Sequence, residues 1–261
     1  MKAKTNGIEL NYETHGNSGP WVVLSHSLAC DLHMWDAQIE FLKDRFRVLA
    51  FDTRGHGQSD SPSGAYTLDQ LADDAKGLLT SVGVEQPNWV GLSMGGMIGM
   101  HYALKYPGEF RSLVLCDTSS RIPAELAPVW AERIKVANEK GMSALVSGTL
   151  ERWFTEPFRN ARKDVIEPVA HMITSTSVTG YAGCCHAIPR INCTDELHTI
   201  TCPVQIIVGE QDAGTPVAMS EAIHAAIPGS ELVIIPEASH LSNLEQPEKF
   251  NIALDRFLSA R

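Results

Sequence analysis

The pentapeptide Gly91-Leu92-Ser93-Met94-Gly95 narrows what this 261-residue chain can fold into more than any other feature. It lies between a short apolar run, Asn88 to Gly91, and a helical pattern that begins at once at Met94. Strand must therefore become helix within a residue or two. Glycine on either side permits so sharp a turn, and the serine between them then stands with its hydroxyl exposed above the end of a sheet.

Such a strand needs neighbours, and the rest of the chain supplies them in alternation with helices. An Asn6-Gly7 turn joins strands over Lys2 to Thr5 and Ile8 to Thr14 into an antiparallel hairpin, and a third strand, Trp21 to Ser25, follows Gly19-Pro20. The amphipathic stretch Trp35 to Leu42 precedes a strand at Val48 to Phe51. Thr67-Leu68-Asp69-Gln70 has the form of a capping box ahead of a helix from about 68 to Ser81, which Gly83 ends. After the pentapeptide come a helix from Met94 to Tyr106, stopped by Pro107-Gly108, and a buried strand from Ser112 to Asp117. The rhythm returns with Val204 to Gly209, a helix from Val217 to Ile227, the strand Glu231 to Ile235 and a last helix from Pro247 to Leu258. This is the pattern of an α/β fold with a mostly parallel central sheet flanked by helices.

From Pro123 to Asn192 the alternation fails, and the stretch is helical in pattern with Pro128, Pro157, Pro168 and Pro189 as punctuation. The expected organisation is a core domain of residues 1–122 and 193–261, interrupted by a helical cap over 123–192.

A formal charge of -10 without any basic block argues against a nucleic-acid partner. It also repels an anionic small molecule at long range, so such a substrate would need a local cation in its pocket. The six cysteines form no C-x-x-C pair, as expected of free thiols in a reducing cytoplasm. The start MKAKTNGIEL has no apolar core of a signal peptide, and no apolar stretch approaches the length of a membrane span. No histidine, cysteine or carboxylate cluster has metal-ligand spacing, and the Gly55-His56-Gly57 loop lacks a nucleotide fingerprint, so the expected chemistry is free of cofactors.

A serine hydroxyl needs an adjacent base, and the base an orienting carboxylate. Asp212 follows the strand ending at Gly209, and His240 follows the strand ending at Ile235, both at carboxyl ends where parallel sheets build their sites. The reading is Ser93 as nucleophile, His240 as base and Asp212 as acid, with Asp117 and Glu210 as lesser candidates for the acid. His26 and His56 are expected to make structural hydrogen bonds near the mouth of the site. The oxyanion of acyl transfer needs about two backbone donors. Met94, the residue after the nucleophile, supplies one, and Leu28 in the loop Ser25-His26-Ser27-Leu28-Ala29 is assigned the other. Trp153, in the cap, is expected to line the pocket as a rigid apolar cover.

The pentapeptide, the loop from Asp52 to Ser59 and the surroundings of Asp212 and His240 resemble the α/β-hydrolase superfamily along the whole chain. More narrowly, Leu24 to Leu28, Asp31 to Trp35, Gly91 to Gly96, Arg152 to Thr155 and Gly180-Tyr181 resemble the 3-oxoadipate enol-lactonases. Ala29-Cys30 stands where that group has Gly-Thr. The resemblance implies an α/β-hydrolase fold and a role in aromatic catabolism. The substrate would be a small enol-lactone with an acetate arm, opened by water to 3-oxoadipate. The arm then requires a cation from the cap, and Arg133, Arg152 and Arg190 are the candidates. A broad carboxylesterase on the same scaffold is the first rival reading. A ligand receptor with vestigial turnover is the rival of another class.

Overall fold

The computed structural model describes residues 1–260. Eight strands form one sheet in the order β1-β2-β4-β3-β5-β6-β7-β8. They are β1 (Lys2–Thr5), β2 (Ile8–His15), β3 (Trp21–Ser25), β4 (Arg47–Phe51), β5 (Asn88–Leu92), β6 (Ser112–Cys116), β7 (Val204–Gly209) and β8 (Glu231–Ile235). Only the β1–β2 and β2–β4 pairings are antiparallel. Asn6 and Gly7 both have positive φ, 47° and 78°, as a two-residue hairpin turn requires. β5, β6 and β7 are buried at every position, which explains why they read as apolar runs rather than alternating ones.

The helices α1 (Asp36–Leu42), α2 (Leu68–Val82) and α3 (Met94–Lys105) connect the first parallel strands. Thr67 Oγ1 accepts the Gln70 N–H at 3.1 Å, and Gly83 ends α2 in the left-handed conformation, so both ends of that helix follow their sequence signals. Strand order reverses at β3, whose neighbours are β4 on one side and β5 on the other. The loops leaving β3 and β5 therefore diverge and open a crevice beyond their carboxyl ends.

Five helices lie between β6 and β7: α4 (Ala127–Lys140), α5 (Val146–Trp153), α6 (Glu156–Ala161), α7 (Lys163–Ser175) and α8 (Val178–Ala187). An antiparallel bridge between Arg121 and Asn192 pinches the two ends of this insertion together, with Cys193 N–H donating to Ser120 O at 2.9 Å. Pro128 and Pro157 fall in first turns, where the missing N–H costs nothing. Pro168 does not punctuate as expected but lies inside α7, where it removes one ladder hydrogen bond. α8 is set hard against the core, because a Cβ at Gly180 would stand 2.0 Å from Gly55 O. Tyr66 N–H also donates to Gly183 O at 3.1 Å. After β7 come α9 (Val217–Ala226), α10 (Ser242–Glu245) and α11 (Pro247–Leu258). The short α10, directly after His240, has no counterpart in the sequence pattern. Among the described residues no helix is long and apolar enough to cross a membrane.

Candidate active site

Ser93 is the hinge between β5 and α3, at φ 54° and ψ -114°, a conformation that costs a side-chain-bearing residue about 1–3 kcal/mol. The surroundings hold it there. Its N–H donates to Cys116 O at 2.8 Å, and Thr118 Oγ1 donates to its carbonyl at 2.7 Å. The flanking glycines are fixed by space: a Cβ at Gly95 would lie 2.0 Å from Ser25 O, and one at Gly91 2.2 Å from Gly95 O. The turn thus packs backbone on backbone, and the Ser93 side chain is left facing a cavity.

His240 lines the same cavity, with its Nδ1 2.8 Å from Asp212 Oδ2. Both side chains are buried. Burial acts to raise the Asp212 pKa, but the adjacent His240 charge and hydrogen bond, with donors from Thr215, outweigh it and hold the carboxyl below its ordinary range. Three further donors crowd that carboxylate. Gly214 N–H and Thr215 N–H reach Oδ1 at 2.8 and 3.0 Å, and Thr215 Oγ1 reaches Oδ2 at 2.7 Å. A carboxylate so occupied presents one fixed lone pair to the imidazole and leaves Nε2 for other work.

Asp117, the lesser candidate, is fully buried but turned elsewhere. Its Oδ1 accepts Gly209 N–H at 2.8 Å, and its Oδ2 shares a 2.6 Å hydrogen bond with Ser242 Oγ. Burial, and then the nearby Asp212 charge, push its pKa well above the carboxylate range. It braces the start of α10 through Ser242. Glu210 accepts Glu237 N–H at the surface and takes no part in the cavity.

The loop after β3 is locked by two neutral histidines. His26 Nε2 accepts Thr53 N–H at 2.9 Å while its Nδ1 meets Ser27 O at 2.7 Å. His56 Nε2 accepts Ala29 N–H at 3.0 Å. Burial lowers their pKa values to about 4 and about 3, so each stays an acceptor at Nε2. Ala29 sits at φ 60°, a conformation that favours glycine, and its N–H is turned back to His56. The neighbouring Leu28 N–H has no partner among the described residues. Met94 opens α3, so its N–H has no carbonyl one turn earlier. The Leu28 and Met94 N–H groups are thus both without a backbone acceptor among the described residues, and Leu28 and Ser93 line one cavity.

The cavity has a volume of about 210 Å³, and just over half of its lining residues come from the insertion, most of those apolar. Trp153 lies in its wall, buried, with its ring stacked on His240 at 6.3 Å between centroids and 30° between planes. Arg133 on α4 and Arg152 on α5 also line it. Arg133 stacks its guanidinium 4.5 Å from the Trp130 ring centroid, and Arg152 Nη2 donates to Thr149 Oγ1 at 3.2 Å. Among the described residues neither forms an ion pair. Burial and then repulsion from Arg133 lower the Arg152 pKa. Arg190 is a correction: it is exposed and does not line the cavity. In the three-residue turn Ile188–Arg190 successive side chains fan outward in different directions, and it is Ile188 that faces in.

Two residues went unread in the sequence. Thr215 carried a signal, since a threonine three positions beyond an aspartate is placed to cap its carboxylate. Glu245 carried none; its burial and its hydrogen bonds to Ser239 and Thr155 emerge only in the fold.

Residues 20–247 match the family model for the alpha/beta hydrolase fold. The chain is 36% identical over 249 residues to 3-oxoadipate enol-lactonase 2 of Acinetobacter baylyi, covering 95% of this chain and 92% of that one. Among solved structures, the enol-lactonase from Burkholderia xenovorans LB400 superposes with a TM-score of 0.96 at 36% identity, covering 99% of this chain and all of that one. A thermophilic esterase from Thermogutta terrifontis superposes with a TM-score of 0.94 at 33% identity, covering 100% and 98%. With the elbow at Ser93 and the sheet order above, these likenesses establish the chain as a member of the α/β-hydrolase family, a hydrolase of esters or lactones similar to the 3-oxoadipate enol-lactonases.

Proposed function

We propose that Ser93, His240 and Asp212 form a nucleophile, base and acid triad that opens a small lactone carrying a carboxylate, as the relatives' names suggest for 3-oxoadipate enol-lactone. Residues 123–192 act as its cap, and the Leu28 and Met94 N–H groups as its oxyanion donors. Ser93 Oγ attacks the ring carbonyl and passes its proton to His240 Nε2, while Asp212 holds Nδ1–H and balances the imidazolium. Collapse of the tetrahedral intermediate breaks the ring C–O bond, and the departing enolate oxygen takes the proton from His240. The enol ketonises, which makes ring opening hard to reverse. Water, deprotonated by His240, then frees the acyl group and returns Ser93 Oγ to its protonated form. All six cysteines are free and five are buried, which supports a cytoplasmic setting.

The observation that carries the substrate class is the pair Arg133 and Arg152. Two arginines without acidic partners border one small, largely apolar cavity in a chain of net charge -10. Holding like charges there is unfavourable until an anion joins them, and a guanidinium binds a carboxylate in fork geometry. The apolar lining favours the rival reading, a broad esterase for neutral substrates. Comparing kcat/KM for the anionic enol-lactone with that for a neutral aryl acetate separates the two. The lactonase reading expects the anionic substrate to be preferred, and the preference to vanish in Arg152→Gln. Equal use of both substrates by the unaltered enzyme supports the esterase.

A further inference from the structure

We infer that Glu245 is a positioning residue that fastens the His240 loop to the Trp153 segment, so that base and cap wall are set in place together. The inference rests on the triad reading above. Glu245 ends α10, five residues past His240, and is only 4% exposed. Its Oε2 accepts the N–H of Ser239, the residue before His240, at 2.9 Å. Its Oε1 accepts Thr155 N–H at 3.0 Å and also Thr155 Oγ1–H. One carboxylate thus bridges two segments 84 residues apart in the chain, from Thr155 to Ser239. The bridge is continued on either side of the base. Ser239 Oγ donates to Arg152 O at 3.1 Å, and Leu241 N–H donates to Trp153 O at 3.2 Å.

Among the described residues no cation pairs with Glu245. A buried carboxylate held by neutral donors alone is an expensive way to join two loops, and it is tolerated where all its acceptor sites are used. A glutamine cannot replace it. One side of an amide is a donor, and it would face either Ser239 N–H or Thr155 N–H. The consequence lies in the link to the chemistry. Trp153 and Arg152 touch the substrate space, and both their carbonyls are bonded to residues flanking the imidazole. Loosening the clasp therefore displaces the His240 ring against Ser93 as well as the cap wall.

The experiment compares Glu245→Gln, Thr155→Val and Thr155→Ser with the unaltered enzyme on p-nitrophenyl acetate, a neutral probe that does not need the arginines. Glu245→Gln is expected to lower kcat between about 10-fold and 100-fold, the scale of a small misplacement of a catalytic group, with KM changed less than about twofold. Thr155→Val is expected to lose kcat by a smaller factor, and Thr155→Ser, which keeps the hydroxyl, to restore it. A folded Glu245→Gln protein with unaltered kcat, or one altered in KM alone, overturns the inference. Should Glu245→Gln not fold, equal kcat in Thr155→Val and Thr155→Ser overturns it. Ser93→Ala keeps the two levels apart. Turnover surviving in that variant refutes the triad, whereas its loss beside a fully active Glu245→Gln refutes only the clasp.

Discussion

On the sheet side of the cavity, Ser93, Asp212, His240, His26 and His56 are each buried, and backbone donors or acceptors fix the loops that carry them. On the opposite side, α4 buries only Ala137, and Val129 together with Leu126, just before the helix, is exposed while still lining the cavity. The other flank of the insertion resembles the sheet side, with α8 pressed against Gly55 and most of its residues buried. On the proposed reading, chemistry is thus placed on loops fixed by backbone hydrogen bonds, and recognition is shared with a helix that packs on α8 but buries only one of its own residues. Substitutions on the sheet side should act on kcat for every substrate, whereas those on α4 and α5 should act on the choice of substrate.

The largest effect that could break this division is at the acid. Asp212→Asn is expected to reduce turnover by roughly 10⁴-fold, through loss of the imidazolium partner and the correct tautomer. Asp117→Asn should stay within a few-fold of unaltered activity, because the Asp117 carboxyl is bonded to Gly209 and Ser242 rather than to His240, and an amide can meet both partners. Assayed together, a larger loss in Asp117→Asn would move the acid to the earlier strand.

The locked histidines give the sheet side a pH signature. A histidine whose folded pKa lies below the unfolded 6.5 contributes its full stability above that value. The contribution is lost as pH falls toward about 4 for His26 and about 3 for His56, because the unfolded chain takes up the proton first. Each removes up to about 1.4 kcal/mol per pH unit in that window. Asp117 opposes them, since its raised pKa favours the folded state as pH falls. Urea unfolding of Asp117→Asn should therefore show stability dropping between pH 6.5 and 4.5 more steeply than in the unaltered chain. A flat profile would mean that the two rings are not held neutral.

On the recognition side, Arg133→Gln and Arg152→Gln are each expected to cost about 1.5–3 kcal/mol of affinity for the anionic lactone, or about 10-fold to 150-fold in KM. Turnover of a neutral aryl acetate should stay within about twofold of the unaltered enzyme for both. Parallel losses on both substrates would place these residues in the catalytic framework instead.

Trp153 belongs to both sides, and its replacement sharpens where the boundary falls. Trp153→Ala should lower kcat/KM about 10-fold, because the indole stacks on His240 and its loss would admit water beside the proposed base. Its thermal destabilisation should fall short of the roughly 3–5 kcal/mol typical of deleting a core tryptophan. Normal kinetics in a strongly destabilised protein would make Trp153 an anchor of the cap and nothing more.

The sheet side was the part legible in the sequence. β1, β3, β7, β8 and α11 have the boundaries read from the sequence, and the other core strands and helices differ by a residue or so, apart from α10, which was not read at all. Local signals fix such elements: the Asn6-Gly7 turn, the Thr67 cap and the glycines around Ser93. The cap side was legible only as helix. Arg133, Arg152 and Arg190 are alike in sequence, and which of them reaches the cavity depends on how five short helices cross. Glu245 was invisible for a related reason. Its partners, Ser239 and Thr155, come from opposite sides of the fold, and no spacing along the chain records their meeting.

The central claim, that the Ser93 hydroxyl attacks and is acylated, is tested most directly by trapping the intermediate. The enzyme would be mixed with a slowly deacylating aryl ester, quenched in acid, digested and weighed peptide by peptide. The account predicts that the peptide containing Ser93 gains the mass of one acyl group, and that Ser93→Ala gains none and retains less than about a thousandth of the activity. An acyl group found on any other residue, or a Ser93→Ala variant keeping about a tenth of the turnover or more, would contradict it.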